Sequence, residues 1–594
     1  MNTIVTEGEK RNPLLYLFSK TWQYSTGNHR NVRLYWALFI IGNAIALISQ
    51  PLLLGNVFNT IQQEGVTRAN FGHIVLFSAL GMLVSVIYWM FHGPARVIEE
   101  ANAFNASTKF RSFLLRGVMA LPLSWHADHH SGDTGDKIDK GHDGQYSFAS
   151  QSFQIISAGV QLIVSYSMLA YYSWPSAIVV MLLLVVSMAI TIAFDKRIIV
   201  NYKLLNRAEN EVVKSIADAL SNITTIITLR VERLICQTIQ HKMDEPYALA
   251  NRTSILTEMK WALVSASCHS MTVIVLVIYL LQQMHTGAVV LSGSVFILIK
   301  YLGQVEELFF QFTSKYSSII RDRARVANAE ELATNFSETA LADHVLPAHW
   351  SRIEIENLCF TYPNAIGMLH LNDVALTIRH GERIALVGES GSGKSTFLQI
   401  LRGLYAPSSL QLSVDGVPIA DGFSGIEQAI TLVPQGTEVF ATTVRHNITL
   451  GVEHDDETVN KFAHMGRFGE RVERMPKKYE SVIGEKGVQL SIGERQRMAI
   501  SRGFLAARDK SILLMDEPTS NVDGINERHI YENVRTEFAD KTVIISIHGL
   551  HLHHHFDRII MFDKGSIVAD GTFEELRSSS EPFQLLLQNY MQAQ

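Results

Sequence analysis

Six stretches of this chain are each long and apolar enough to cross a bilayer, and no other feature restricts its fold as severely. They are Leu34–Val57, Phe71–His92, Phe153–Ser173, Pro175–Phe194, Trp261–Gln282 and Ala288–Phe309. A spanning helix needs about 20 mostly apolar residues, because the hydrocarbon core is roughly 30 Å thick. Inside lipid every backbone N–H and C=O must find a partner within the segment, so such runs fold as helices. Composition agrees: 18% of the 594 residues are charged, against the roughly 25% of soluble domains. Cations collect between Arg96 and Tyr146 and between Lys196 and Lys260, while the links Gln62–Asn70, Tyr172–Pro175 and Gln283–Gly287 are short and nearly uncharged. Lys10, Arg11, Lys20, Arg30 and Arg33 precede the first run. The positive-inside rule then predicts a multi-pass membrane protein with both termini in the cytoplasm, and a cytoplasmic (bacterial inner) membrane is its expected location.

The net charge of −6 argues against a nucleic-acid partner, which usually demands a basic surplus. Three separated cysteines, Cys236, Cys268 and Cys359, form neither a disulfide framework nor a zinc pattern. The opening residues resemble neither a signal nor a transit peptide, and Leu14–Trp22 suits a short interfacial helix. The two long cationic segments carry apolar residues at helical spacing. Each is expected to run helix, break, helix, and the first break is placed between Trp125 and Gly141.

Beyond a polar connector the pattern changes. Short strand-like runs (RIEIENLCF, ERIALVG, QAITLVP, SILLMDEP, KTVIISIH, DRIIMFDKG) alternate with helical ones, which predicts a mainly parallel sheet covered by helices. After one such strand come Gly388, Glu389, Ser390, Gly391, Ser392, Gly393, Lys394, Ser395 and Thr396, a complete G-x-x-x-x-G-K-[ST] phosphate loop. Its glycines let backbone N–H groups curl around phosphate oxygens at the positive end of the next helix. Lys394 would reach the β- and γ-phosphates, and Ser395 would ligate Mg²⁺. Farther on, an apolar strand ends in Asp516 and Glu517. Asp516 suits an outer hold on Mg²⁺, and Glu517 suits polarising a water for attack on the γ-phosphorus.

On these motifs the carboxy-terminal part resembles the nucleotide-binding domain of ABC transporters, and the whole chain resembles a half-size ABC exporter. The resemblance implies an α-helical membrane domain with six transmembrane helices and long intracellular helices, followed by an α/β P-loop ATPase domain of ABC type. The expected boundaries are 1–335 for the membrane domain, 336–350 for a linker and 351–594 for the ATPase domain. It further implies that Tyr362 stacks on adenine, that Gln435 meets Mg²⁺ and the attacking water, and that His548 contacts the γ-phosphate. Gly484–Gly487 would touch the intracellular helices, and Ser520–Asp523 would cross the dimer interface. The family signature Leu-Ser-Gly-Gly-Gln reads Leu490-Ser491-Ile492-Gly493-Glu494 here. Ser491 and Gly493 are kept to face the partner's γ-phosphate. Ile492 would be strained if its backbone required positive φ, and Glu494 brings an anion near phosphates. Weakened ATP closure is the expectation, not a dead site.

Because the family sandwiches ATP between the phosphate loop of one domain and the signature of another, one chain cannot complete a site. The implied partners are a second copy of the chain, or alternatively a paralogous half. The expected function is export or flipping of an amphipathic substrate (a drug-like compound, a lipid or a peptide), driven by ATP hydrolysis through alternating access. An ATP-gated channel or sensor, or an importer sharing the exporter fold, is the alternative. No peptidase-like segment precedes the first span, which argues against a leader-cleaving exporter. Lys300, Gln304, Glu307 and Gln311 fall on one helical face, read either as a cavity lining or as a stretch beyond the bilayer. The clusters His126/His129/His130 and His551/His553/His554/His555 are read as structural or surface residues.

Overall fold

The computed structural model describes residues 12–287, 289–336, 346–347, 349–362, 370–484, 487–547 and 549–593. The chain divides into two compact units, one of Met1–Ala120 with Ser131–Phe336 and one of Leu121–His130 with Ser337–Gln594.

The first unit is helical. Among the described residues, five helical segments have the length and composition to cross a membrane: His29–Glu64, Phe71–Met119, Ser131–Tyr172, Trp174–Ser221 and Glu232–Thr286. The sixth expected span lies in Ser292–Glu330, 39 residues long, where Lys300, Glu306 and Glu307 interrupt the apolar run. Phe71–Met119 holds 49 residues, so at about 1.5 Å per residue it is over twice the hydrocarbon thickness. Tyr301, Leu302 and Val305 pack among Leu169, Val180, Met271, Val275 and Tyr279. Ser165 donates to Gln304 Oε1 at 2.8 Å, and Gln161 donates to the Gln304 carbonyl at 3.0 Å. Such bonds hold helices together where the hydrophobic effect cannot.

The first break is shorter than the sequence suggests. Leu123–Asp128 is a six-residue helix, and the chain is helical again from Ser131. The glycines at its far end serve packing instead of a turn: a Cβ on Gly141 would lie 2.4 Å from Ala329 Cβ, so only glycine lets the two helices approach so closely. In the second long segment the helix ends at Ser221 and a seven-residue helix, Ile223–Leu229, follows. The expected amino-terminal helix forms as Pro13–Tyr24. Tyr16 donates to Glu330 at 2.6 Å, Lys20 pairs with Glu330 at 2.7 Å, and Leu15 and Trp22 remain exposed.

The second unit contains two sheets. Its strands are β1 (Arg352–Phe360), β2 (Leu371–Arg379), β3 (Arg383–Val387), β4 (Ser409–Val414), β5 (Val417–Pro418), β6 (Ile430–Val433), β7 (Ile512–Asp516), β8 (Thr542–Ser546), β9 (Arg558–Asp563) and β10 (Ser566–Gly571). The larger sheet has the order β10-β9-β3-β8-β7-β6. Its β9, β3, β8, β7 and β6 are parallel, and β10 is an antiparallel edge. The β7 and β8 strands are buried throughout, as a parallel sheet covered on both faces requires. One expectation is corrected: RIEIENLCF does not join this sheet. It is β1, in a separate antiparallel sheet of order β2-β1-β4-β5. Its Arg352, Glu356 and Asn357 are exposed while Ile353, Ile355, Leu358 and Phe360 are buried, which an antiparallel sheet permits.

Candidate active site

The parallel strands end at one rim of the sheet, and the chemistry gathers there. After β3 the chain turns through Gly388 (φ 141°) and Gly393 (φ 110°) into the helix Lys394–Leu401. A Cβ on Gly388 would lie 2.2 Å from the Phe562 carbonyl oxygen, so glycine is required there by conformation and by space. Lys394 is buried; its ammonium donates to the carbonyls of Gly388 at 2.8 Å and Glu389 at 3.0 Å and lies 3.4 Å from Ser392 Oγ. Burial pushes the Lys394 pKa down from its ordinary value, while the charges of Glu517 and Asp516 oppose that shift.

The β7 strand delivers the acids. Ser395 Oγ donates to Asp516 Oδ1 at 2.9 Å, and Ser546 Oγ donates to the same oxygen at 2.7 Å. Ser546 stands beside Asp516 because parallel register pairs them across β7 and β8. Its hydroxyl also accepts from the Glu517 N–H at 2.9 Å. Glu517 adopts φ 46°, a left-handed conformation uncommon outside glycine and often found where a side chain is aimed for function. Gln435 Nε2 donates to Glu517 Oε2 at 2.7 Å. The structure therefore unites Lys394, Ser395, Gln435, Asp516 and Glu517. Tyr362 joins them from the side: its hydroxyl donates to Gln399 at 3.2 Å and lies 3.3 Å from Thr396 Oγ1. His548 lies outside the described residues, as do Glu485 and Lys486.

The altered signature folds without strain. Ser491 caps the helix Ile492–Ala507 in a capping box, accepting from Glu494 N–H at 3.2 Å while Glu494 accepts from Ser491 N–H at 3.0 Å. Ile492 is the first helical residue and is absent from the positive-φ positions, so the conditional strain does not arise. Glu494 Oε1 lies 2.8 Å from Arg471 Nε, an ion pair not aligned as a hydrogen bond. A Cβ on Gly493 would lie 2.6 Å from the Asn521 carbonyl oxygen. Among the described residues, Ser491 and Gly493 thus engage Glu494 and Asn521, not the 388–396 loop.

Two contributors escaped the sequence reading. Ser546 is one. Gln496 is the other: buried, it donates to the Glu517 carbonyl at 3.2 Å and to Ser520 Oγ at 3.1 Å, and accepts from Asn521 N–H at 2.9 Å. The available signal was a polar side chain on the buried face of a helix, with Met498, Ile500 and Phe504.

A family model for the ABC transporter transmembrane region matches residues 34–306, and an ABC transporter model matches residues 371–520. The chain is an ABC transporter. The glutathione/L-cysteine transport system ATP-binding/permease protein CydD of Bacillus subtilis is 28% identical over 451 residues, covering 74% of this transporter and 76% of the relative. The β-(1→2)glucan export protein NdvA of Bartonella bacilliformis is 24% identical over 562 residues, covering 92% and 90%. A solved bacterial Atm1-family ABC exporter with ATP bound shares the fold with a TM-score of 0.80 at 20% identity, covering 94% of this chain and 98% of that one. The transporter is a multi-pass membrane protein whose ATP-hydrolysing domain is fused to an exporter-type membrane domain.

Among the described residues no group of three or more His, Cys, Asp or Glu side chains is placed to bind an ion. His129 stacks on Trp125 with centroids 4.1 Å apart. His555 is buried against Tyr531, and burial pushes its pKa down to about 4.

Proposed function

We propose that residues 1–335 form the transport path and 351–594 the motor of a homodimeric exporter in a bacterial inner membrane, with both termini cytoplasmic. The carrying observation is the single hydrogen-bonded set Ser395–Asp516–Ser546–Glu517–Gln435 beside the phosphate loop. Gly388–Thr396 would cradle the triphosphate, with Lys394 against its outer phosphates and Tyr362 beside the adenine. The hydroxyl of Ser395 and the carboxylate of Asp516 are hard oxygen donors, which suits Mg²⁺. Gln435 keeps its amide oxygen for the same ion, because its nitrogen is the end bound to Glu517. Bound there, Mg²⁺ supplies positive charge to the phosphate oxygens. Glu517 orients a water and takes its proton as the oxygen–phosphorus bond forms and the bond to the departing ADP oxygen breaks; His548 would steady the γ-phosphate.

Ser491 and Gly493 would complete the site of a second copy. The exposure of Ile223, Ile227 and Leu229 on a helix that buries no residue of its own supports such an assembly. A cavity of about 460 Å³ within the membrane unit supports an amphipathic substrate. Its walls include Ile155, Leu162, Leu184, Met188 and Phe309, with Gln154, Gln311 and Lys315 among the polar residues. Apolar walls with few polar groups bind molecules of that chemistry.

The test is transport into inside-out vesicles with the Glu517→Gln variant. It should bind ATP like the unaltered protein while hydrolysis and substrate accumulation stop together. Hydrolysis persisting at the normal rate would remove Glu517, and this mechanism, from consideration.

A further inference from the structure

A line of hydrogen bonds runs from the carboxy-terminal helix Glu581–Ala593 to the loop that follows Glu517. Tyr590 Oη and His551 Nδ1 are 2.8 Å apart, and His551 Nε2 and Glu527 Oε2 are 3.2 Å apart. The other oxygen of Glu527 accepts from Thr519 Oγ1 at 2.6 Å. Thr519 is buried and sits two residues beyond Glu517, in the loop that Gln496 also holds through the Glu517 carbonyl and Ser520 Oγ.

Donor and acceptor roles follow from chemistry. A carboxylate only accepts, so the proton facing Glu527 is carried by His551 Nε2. In the neutral ring Nδ1 is then the acceptor, and the Tyr590 hydroxyl donates to it. Every donor along the line has an acceptor and the sequence of bonds has one direction, from Tyr590 to Glu527, where the Thr519 hydroxyl meets it. Glu527 is mostly buried, with 16% of its side chain accessible, so its two partners fix it in place.

We infer that His551 and Tyr590 are positioning residues for ATP hydrolysis. They hold Glu527, Glu527 holds Thr519, and Thr519 sets the loop from which Glu517 is aimed. This rests on the role given to Glu517 above, and it assigns the second histidine cluster a purpose other than metal binding. None of the four side chains touches the reacting atoms; the effect is on the orientation of the group that does.

The experiment compares His551→Leu, His551→Gln, Tyr590→Phe and the double variant His551→Leu/Tyr590→Phe in the full-length reconstituted transporter. ATPase kcat, KM for ATP and the thermal midpoint are measured for each. His551→Leu and Tyr590→Phe should each lower kcat roughly threefold to tenfold, the size expected for one lost hydrogen bond, with KM within about twofold. Since both break one line, the double variant should be no slower than His551→Leu alone. Glutamine can donate and accept, so His551→Gln should recover at least about half of the normal kcat. Full activity in His551→Leu and Tyr590→Phe overturns the inference, as does a loss that tracks only the thermal midpoint, or a glutamine variant no better than leucine. Glu517→Gln, run alongside, separates the two levels. If it still turns over, the mechanism fails; if it is silent while His551→Leu is fully active, only the positioning role fails.

Discussion

At the signature, single residues decide between two readings. The sequence shows an anion at Glu494 and a β-branched residue at Ile492, and both suggest a weakened site. The structure gives each a use: Ile492 is an exposed first residue of a helix, and Glu494 closes the capping box and pairs with Arg471. Glutamine also completes a capping box. Glu494→Gln should therefore keep normal ATPase activity and lower stability by no more than about 1 kcal/mol, since a part-exposed ion pair is worth little. Gly493→Ala should behave oppositely. Its new methyl would meet the Asn521 carbonyl oxygen at 2.6 Å and displace the loop beside Glu517. A loss of kcat of about tenfold or more is expected, measured beside a thermal melt; equal activity in the two variants would contradict this account. The motif residues were legible because their chemistry is local. Gln496 and Ser546 were not, because their importance comes from register and packing that bring distant segments together.

At the scale of elements, apolar run length and strand-to-helix alternation were enough to place the membrane helices and the parallel sheet. What failed was the meaning of glycine and of strand partners. Gly141 reads as a breaker, but space beside Ala329 makes it a packing residue. The pairing of β1 with β2 and β4 instead of with β3 depends on long-range register. The helix Ser292–Glu330 raises a related question. Its buried side packs Ile297, Leu298, Tyr301, Leu302 and Val305, while Lys300, Glu307 and Gln311 are exposed. A charge facing lipid at mid-membrane costs about 2.5–3.5 kcal/mol on insertion scales, so this face belongs against water, substrate or a second copy. Lys300→Met and Glu307→Gln should each shift the substrate concentration for half-maximal ATPase stimulation by about threefold to tenfold, leaving unstimulated hydrolysis unchanged. Unaltered stimulation curves would make the stripe structural.

For the whole molecule the decisive matter is stoichiometry. Each chain carries one phosphate loop and one signature. If ATP is held between the loop of one copy and the signature of the other, two different inactive chains can repair each other. Lys394→Ala removes the loop's cation, and Ser491→Arg blocks the signature; each protein alone should be inactive. In a mixed dimer, one site still joins an intact loop from the Ser491→Arg chain to an intact signature from the Lys394→Ala chain. Co-reconstitution should therefore restore hydrolysis, up to about a quarter of the normal rate at equal mixing, because about half of the dimers are mixed and each has one complete site. A site closed within one chain makes the contrary forecast: no mixture can exceed its parents. Restoration that vanishes when each lipid particle holds a single chain would tie the recovered activity to the pair.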